Sequence, residues 1–183
     1  MEKIRSFISI GIPKMPPIQD SLKELKDIRG VGVSKEIHLT LRFLGDVDAS
    51  KLKKLSAHMR SLENYHNFDV SMKGIGAFPN NNSPRVVWIG SAPGEPFSSI
   101  LSDLDKMLDS IGIDYDRKPF KAHITIGRVR DPSKRLTEFI NENKELEVGS
   151  FVCSEIFLMK SVLTAQGAEH SVIDSFHLHK EKS

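Results

Sequence analysis

The chain has 183 residues, of which 39% are hydrophobic and 27% are charged. This length and composition indicate one domain, or two small lobes that share a core, and exclude a disordered tail, a collagen-like fibre and a membrane bundle. Lys and Arg number 26, Asp and Glu number 24, and the net charge is +2. A balance so close to neutral gives no overall attraction to nucleic acid, so any site for a polyanion must come from local clustering of charge.

The first half of the chain alternates predicted strands and helices. Residues 7–12 read as a strand that is stopped by prolines, and apolar residues at helical spacing predict a helix over 18–28 that ends at Gly30. Residues 37–43 alternate as a strand, and a helix with Ser50 as its cap follows over 50–62. Two further strands, 68–75 and 85–89, are joined by the polar loop 80–84.

The second half repeats this alternation. A helix is predicted over 100–111, a strand over 122–126 and a helix around 136–140, with strands around 151–159 and 171–178. Interleaved strands and helices with several hairpins indicate an α+β fold with largely antiparallel sheet. The one cysteine, Cys153, excludes an intramolecular disulfide and a zinc site built from cysteines, and its apolar neighbours predict a buried, unreactive thiol.

One short pattern occurs twice, nearly half the chain apart. It is His38-Leu39-Thr40-Leu41 in the first half and His123-Ile124-Thr125-Ile126 in the second. Each copy lies on a predicted strand, where residues i and i+2 share a face. The repeat therefore predicts two similar lobes, each of which presents a histidine and a threonine to a shared cleft.

These residue types suit displacement at a phosphodiester. Two imidazoles that titrate near neutrality can divide the work of general base and general acid, and threonine hydroxyls can donate hydrogen bonds to phosphate oxygens. Arg42 continues the alternation of His38 and Thr40 and would add a fixed positive charge. Neither a covalent intermediate nor a metal is required. A single such strand would more often be an ordinary surface strand, and the remaining histidines are expected to face solvent: His58, His66, His170, His177 and His179.

Longer stretches around the two patterns resemble a known family. His38-Leu-Thr-Leu-Arg-Phe-Leu-Gly45 and Ala122-His-Ile-Thr-Ile-Gly-Arg128-Val are similar to the two signature strands of the 2H phosphoesterase superfamily. Within it, the chain resembles the LigT-like RNA 2′,3′-cyclic phosphodiesterases, also called 2′–5′ RNA ligases. Stretches at 5–10, 76–90 and 157–161 fit the same family, so the resemblance spans nearly the whole chain.

The resemblance implies a fold, a reaction and roles for residues. Residues 1–183 would form one bilobal domain, with two pseudo-symmetric lobes around a central cleft, each a mostly antiparallel sheet with helices on its outer face. Water would open a ribose 2′,3′-cyclic phosphate to a 2′-phosphomonoester, and the reverse reaction would make a 2′–5′ linkage. His38 would be the proton donor and His123 the proton acceptor, while Thr40 and Thr125 would bind phosphate oxygens.

Three other residues are candidates for substrate binding. Arg42 and Arg128 are predicted to contact phosphate; Arg128 has the wrong parity in a regular strand but would be re-aimed by a bulge or bend at Gly127. Phe78, beside the 80–84 loop, is predicted either to stack on a base or to anchor the core next to Pro79. Trp88 alternates with apolar neighbours and is expected in the core.

The expected partner is RNA with a 2′,3′-cyclic phosphate end, such as a tRNA fragment, with a nucleotide as a further ligand. Neither a cofactor nor a metal is expected. No membrane association is expected either, since no segment approaches the ~20 apolar residues of a membrane span. The protein is predicted to be a cytoplasmic monomer. An RNA-binding module without catalysis fits less well because only 7% of residues are aromatic. A metallohydrolase fits less well because neither patterned strand carries a carboxylate. A sister phosphoesterase acting on small cyclic nucleotides, NAD-derived cyclic phosphates or 2′–5′ oligoadenylate remains an alternative.

Overall fold

The computed structural model describes residues 1–180, whose strands form two antiparallel sheets. The strands are β1 (Lys3–Gly11), β2 (Val31–Val33), β3 (His38–Asp48), β4 (Phe68–Phe78), β5 (Val86–Pro93), β6 (His123–Val129), β7 (Glu147–Cys153), β8 (Glu155–Thr164) and β9 (Gly167–His177). The helices are α1 (Pro16–Lys26), α2 (Ala49–Met59), α3 (Phe97–Ile111) and α4 (Lys134–Glu142), and a 3₁₀ turn, Arg60–Asn64, follows α2.

The first sheet has the strand order β3-β1-β8-β9, and the second has the order β2-β6-β5-β4-β7. Helix α2 packs on β3 and on α3, whereas α1 packs on β2, β6 and β7, and α4 packs on β4. Each sheet therefore has a face covered by helices and a face left open. The two sheets contact each other through β3 and β6, the two strands that carry the repeated pattern.

The α+β class with two mostly antiparallel sheets is confirmed. Two local expectations change, and one strand, β2, was not predicted. Helix α2 begins at Ala49, so Ser50 lies inside the helix and is not its cap. The strand expected around 151–159 is two strands, because the chain passes from the second sheet to the first between Cys153 and Glu155. The short strand β2 has no alternation long enough to be read from the sequence. Within residues 1–180 no helix is long and apolar enough to cross a membrane.

The two patterned strands share an irregularity that decides where their side chains point. In β3, Thr40 lies opposite Ser9 and Arg42 lies opposite Ile8, so Leu41 is an extra residue in the ladder. In β6, Thr125 lies opposite Trp88 and Gly127 opposite Val87, so Ile126 is the extra residue there. Each strand thus has a β-bulge at the fourth position of the pattern, and the alternation of faces is reset beyond it.

The bulge turns Arg42 away from His38 and Thr40. The predicted alignment of these three side chains is wrong, because Arg42 follows the extra residue and joins Leu39 on the helix-covered face. There Arg42 is only 9% exposed and makes a paired contact with Asp105 of α3, with Nε 2.7 Å from one carboxylate oxygen and Nη2 3.0 Å from the other. Arg42 is therefore a structural residue that ties β3 to α3.

Removing the partner of this buried arginine should destabilise the protein. Asp105→Ala leaves the Arg42 guanidinium buried without a counter-charge, and we expect the free energy of unfolding to fall by about 2–3 kcal/mol, since the carboxylate itself is partly exposed. Chemical denaturation monitored by circular dichroism measures this change. The matched control is Asp109→Ala on the same helix, which breaks the exposed pair with Arg117 and should leave the free energy of unfolding nearly unchanged. Equal losses in the two variants would contradict the structural role of Arg42.

Candidate active site

The two repeated histidines are the first residues of the two strands that join the sheets. His38 begins β3 and His123 begins β6. The side chains of both histidines and both threonines are half-buried, while the residues between them are fully buried. Seven residues of each strand follow the same sequence of burial from the histidine onward. The structure therefore places His38, Thr40, His123 and Thr125 on the open faces of the two contacting strands.

His38 is held between two rings. The ring of Phe7 stacks on its imidazole, with 4.9 Å between centroids, and the imidazole of His170 meets it edge-on at 5.2 Å. His170 also packs against Phe7 at 4.9 Å. These contacts fix the orientation of the His38 ring on the open face of the first sheet.

His170 is a site residue that the sequence analysis missed. It was expected to face solvent, but only 15% of its side chain is exposed, and its Nδ1 lies 2.8 Å from a carboxylate oxygen of Glu36. The contact is a close approach of the two groups rather than a well-aligned hydrogen bond. His170 lies on β9 outside any repeated pattern. Only the pairing of the strands therefore reveals that it contacts His38.

The surroundings of His38 disfavour its charged form. Burial lowers the pKa of His38 from 6.5 to about 4, and the nearby charge of His170 acts in the same direction. In the free protein His38 is therefore a neutral imidazole near pH 7.

His123 is held by a different interaction. Its Nδ1 lies 2.6 Å from the backbone carbonyl oxygen of Lys121. A carbonyl can only accept a hydrogen bond, so Nδ1 must carry a proton, and in the neutral ring the lone pair is on Nε2. The geometry thus presents His123 as a proton acceptor through Nε2.

Aromatic rings surround His123. The ring of Phe78 meets its imidazole edge-on at 4.9 Å, and the indole of Trp88 lies 5.4 Å from Phe78 and 6.4 Å from His123. Trp88 is opposite Thr125 in the ladder and is half-exposed, so the expectation that it belongs to the core is wrong. Its neighbours Val87 and Ile89, which point to the other face, are fully buried.

A glycine makes room for this indole. A Cβ at Gly76, the residue opposite Trp88 on β4, would lie 2.4 Å from two ring carbons of Trp88. The indole therefore lies directly on the backbone of β4. Half-buried Phe78 stands beside it, so the structure brings Phe78 to the site rather than into the core.

Arg128 reaches the open face because of the bulge at Ile126. It lies opposite Val86, on the same side of β5 as Trp88 and Gly90, which face Thr125 and His123. The predicted re-aiming of Arg128 is confirmed, with the extra residue one position before Gly127. Its side chain is exposed, and within residues 1–180 it makes no salt bridge.

The matching position in the first sheet holds Phe43. This ring is 44% exposed, and the guanidinium of Arg5 lies 4.7 Å from its centroid. The two lobes thus place different side chains at the fifth position after equivalent histidines: an aromatic ring with an arginine over it in one lobe, and an arginine in the other.

The arrangement provides two imidazoles, two hydroxyls and a free guanidinium on one surface. This set can move protons and bind an anionic tetrahedral group. In the described part of the chain no group of three or more His, Cys, Asp or Glu side chains is placed to hold a metal ion. Cys153 is buried, and burial raises the pKa of its thiol to about 11, as expected for an unreactive cysteine.

Comparisons with known proteins identify the family. A family model described as LigT like Phosphoesterase matches the chain twice in succession, at residues 12–88 and 89–168. An RNA 2′,3′-cyclic phosphodiesterase of Methanothermobacter thermautotrophicus is 34% identical, with 96% of this chain and all of that protein covered. One from Methanocaldococcus jannaschii is also 34% identical, covering 93% of this chain and 98% of that protein.

Solved structures confirm the fold. A crystal structure of a Thermus thermophilus protein superposes with a TM-score of 0.82 at 25% identity, covering 97% of this chain and all of that one. The apo form of LigT from E. coli gives a TM-score of 0.76 at 22% identity, covering 98% of this chain and all of that one. At such identity the second likeness concerns the fold alone.

Replacing His170 should change the titration of His38 in a definite direction. His170→Phe keeps a ring against His38 but removes the like charge, so we expect the pKa of His38 to rise while remaining below 6.5, because burial is the larger cause. Nuclear magnetic resonance titration of the imidazole measures this pKa.

Since the unfolded chain binds a proton at His38 between pH 6.5 and 4 that the folded protein does not, the free energy of unfolding should fall by up to about 3 kcal/mol as the pH is lowered over that range. His38→Gln should flatten this fall; an ordinary pKa at His38 in the unaltered protein would contradict the account.

Gly76→Ala should displace the only tryptophan of the chain. The new Cβ and the indole cannot occupy the same space, so Trp88 must move away from Phe78 and His123. We expect a shift of the fluorescence emission maximum and a loss of activity of roughly tenfold, because Trp88 no longer lies against Phe78 and His123. Gly11→Ala is the control for the emission spectrum, because its Cβ would only make ordinary contact with Phe157 at 3.6 Å. An unchanged emission spectrum in Gly76→Ala would show that the indole does not lie directly on the backbone of β4.

Proposed function

The chain belongs to the LigT-like phosphoesterase family, and from that premise we propose that it is an RNA 2′,3′-cyclic phosphodiesterase. Its substrate is an RNA that ends in a ribose 2′,3′-cyclic phosphate, and its product is the 2′-phosphomonoester. The observation that carries the proposal is the pair of His-x-Thr strands with matched bulges, which lie side by side where the two sheets meet. The relatives that are 34% identical bear the name of this activity.

The reaction is a displacement at phosphorus in which each histidine handles one proton. Nε2 of His123 takes a proton from water as the water oxygen bonds to phosphorus. The bond between phosphorus and O3′ breaks, and His38 gives a proton to the departing O3′. The phosphate remains on O2′, and the two histidines end with their protonation states exchanged.

The contact between His123 and Lys121 supports the role of His123 as the acceptor. With Nδ1 committed to the Lys121 carbonyl oxygen, the imidazole can take a proton only at Nε2. His123 is thus oriented before the substrate arrives.

The role of His38 as the donor requires that it gain a proton when substrate binds. A pKa of about 4 leaves it neutral in the free protein near pH 7. The negative charge of a cyclic phosphate beside the ring favours the protonated form and opposes the effect of burial. The same burial makes the bound imidazolium a strong proton donor to O3′ once the phosphate is in place.

Three groups stabilise the charge on the phosphoryl oxygens. The hydroxyls of Thr40 and Thr125 share the open faces with the histidines and make no hydrogen bond within residues 1–180, so they are available to donate. Arg128 adds a fixed charge on the same face as His123. Phe78 and Trp88, whose rings are tilted by 40° to one another, form an apolar wall next to His123, and the terminal base can stack on one of these rings.

The same geometry supports the reverse reaction. A 5′-hydroxyl of a second RNA in place of water would attack the cyclic phosphate and form a 2′–5′ linkage. His123 would take the proton of that hydroxyl, and His38 would protonate O3′ as before. Ligation therefore needs no residue beyond those of hydrolysis, only a second RNA end in the cleft.

The proposal is tested with an RNA oligonucleotide that ends in a 2′,3′-cyclic phosphate, incubated with the protein and EDTA. We expect a 2′-phosphate as the only product. His38→Ala and His123→Ala should each lower kcat/KM by roughly 10²-fold or more, because each loses one proton transfer. His58→Ala, which changes an exposed histidine on α2, is the matched control and should be fully active.

Three results would count against the proposal. A 3′-phosphate product would mean that the other bond breaks, and activity that returns only with added divalent metal would mean that the histidines do not suffice. An RNA end left intact while a small cyclic nucleotide is opened would favour the sister phosphoesterase reading instead.

A further inference from the structure

A groove with three cations lies beside the site. It is bounded by the connection between β2 and β3, by the end of β6 and by the tip of the hairpin that joins β8 to β9. Its cationic side chains are Lys35, Arg128 and Arg130, all exposed. The proposed mechanism uses only Arg128, so Lys35 and Arg130 have no assigned part in it.

The walls of this groove are tied to one another. The backbone N–H of Ser34 donates to the carbonyl oxygen of Ile126, the bulge residue, at 3.0 Å, and the N–H of Arg130 donates to Gly30 at 2.8 Å. The ammonium of Lys35 donates to the backbone carbonyl oxygen of Gln166 in the hairpin tip at 3.2 Å. The groove is thus a fixed feature shared by both sheets.

The charge in the groove is not compensated by salt bridges. Within residues 1–180, Lys35, Arg128 and Arg130 make none, whereas several other exposed cations are paired with carboxylates, among them Lys73, Arg117 and Arg135. The one acid on the groove wall is Glu36, whose carboxylate lies against His170. Like charges that are gathered without partners favour binding of an anion.

Glu36 also connects the groove to His38. It lines both the groove and the adjoining pocket that contains His38, His170 and Phe157. An RNA end whose cyclic phosphate lies at His38 and His123 would therefore pass the next part of its chain along the groove. The phosphate nearest to a terminal cyclic phosphate is the phosphodiester that joins the last nucleotide to the one before it.

We propose that Lys35 and Arg130 bind this penultimate phosphodiester and so select RNA ends over free cyclic mononucleotides. The inference rests on the proposed function and adds to it the residues that bind the RNA chain beyond its terminal nucleotide. A cyclic mononucleotide carries no such phosphate and fills only the catalytic part of the site. A dinucleotide or longer RNA carries one and gains the contact with the two cations.

The test compares two substrates that differ only in charge. One is a diadenosine dinucleotide that ends in a 2′,3′-cyclic phosphate, and the other is the same molecule with a neutral methylphosphonate at the internal linkage. We expect the charged substrate to be opened with a kcat/KM at least roughly tenfold higher, as two exposed cations each contribute a few-fold. This advantage should shrink as salt is added, with a slope of about 0.7 per phosphate contact.

Variants of Lys35 and Arg130 test whether these two cations cause the preference for the charged dinucleotide. Arg130→Gln and Lys35→Gln should each reduce the ratio of the two rates roughly threefold, and the double variant should bring it close to one. Lys54→Gln, at an exposed lysine of α2 away from the groove, is the matched control and should keep the full ratio. Adenosine 2′,3′-cyclic phosphate serves as the third substrate and reports on the catalytic centre alone.

The possible results separate the two proposals. If the unaltered protein opens both dinucleotides equally fast, or if Arg130→Gln and Lys35→Gln leave the ratio unchanged, the groove does not bind the phosphodiester although the cyclic phosphodiesterase stands. If none of the three substrates is opened by the unaltered protein, the proposed function itself is wrong.

Discussion

The site depends on one extra residue in each of two strands. In a regular strand the alternation of faces would continue beyond the fourth residue of each pattern. Arg42 and Arg128 would then lie on the opposite faces from those observed. The bulges at Leu41 and Ile126 reset the alternation, so Arg42 turns inward to Asp105 and Arg128 turns outward beside His123. On its other edge, β6 continues its pairing with β2 by one residue, since the N–H of Ser34 donates to the carbonyl oxygen of Ile126 and so holds one wall of the groove.

The same bulge in both lobes does not make them chemically equal. His38 is enclosed by Phe7 and His170, and this enclosure disfavours its charge. His123 instead has a carbonyl oxygen on Nδ1, which leaves Nε2 as the nitrogen that can accept a proton. A two-histidine mechanism needs one neutral and one protonated imidazole. Pseudo-symmetry of the backbone thus provides the positions of the two histidines, and the difference between their neighbours supports the roles proposed for them.

The sequence predicted the parts of the structure that local pattern determines. The spacing of apolar residues gave the helices and most strands, and the repeat of His-x-Thr gave the central residues of the site. Arg42 does not lie where the sequence predicted because face alternation does not continue through the bulge at Leu41. Trp88 does not lie in the core because it is on the open face of the second sheet, opposite Thr125. His170 and Lys35 depend on the pairing of β8 with β9 and on where the hairpin tip lies, and such long-range contacts leave no periodic trace in the chain.

The last hairpin contributes both to the surroundings of His38 and to the groove. The first sheet is built from both ends of the described chain, since β1, the partner of β3, also pairs with β8 of this hairpin. One side of that hairpin carries His170 to His38, and its tip carries Gln166 to Lys35. The surroundings of His38 and the groove beside it therefore both depend on the pairing of this hairpin with β1. A chain that lacked this pairing would keep both His-x-Thr strands but would lose the enclosure of His38 and one wall of the groove together.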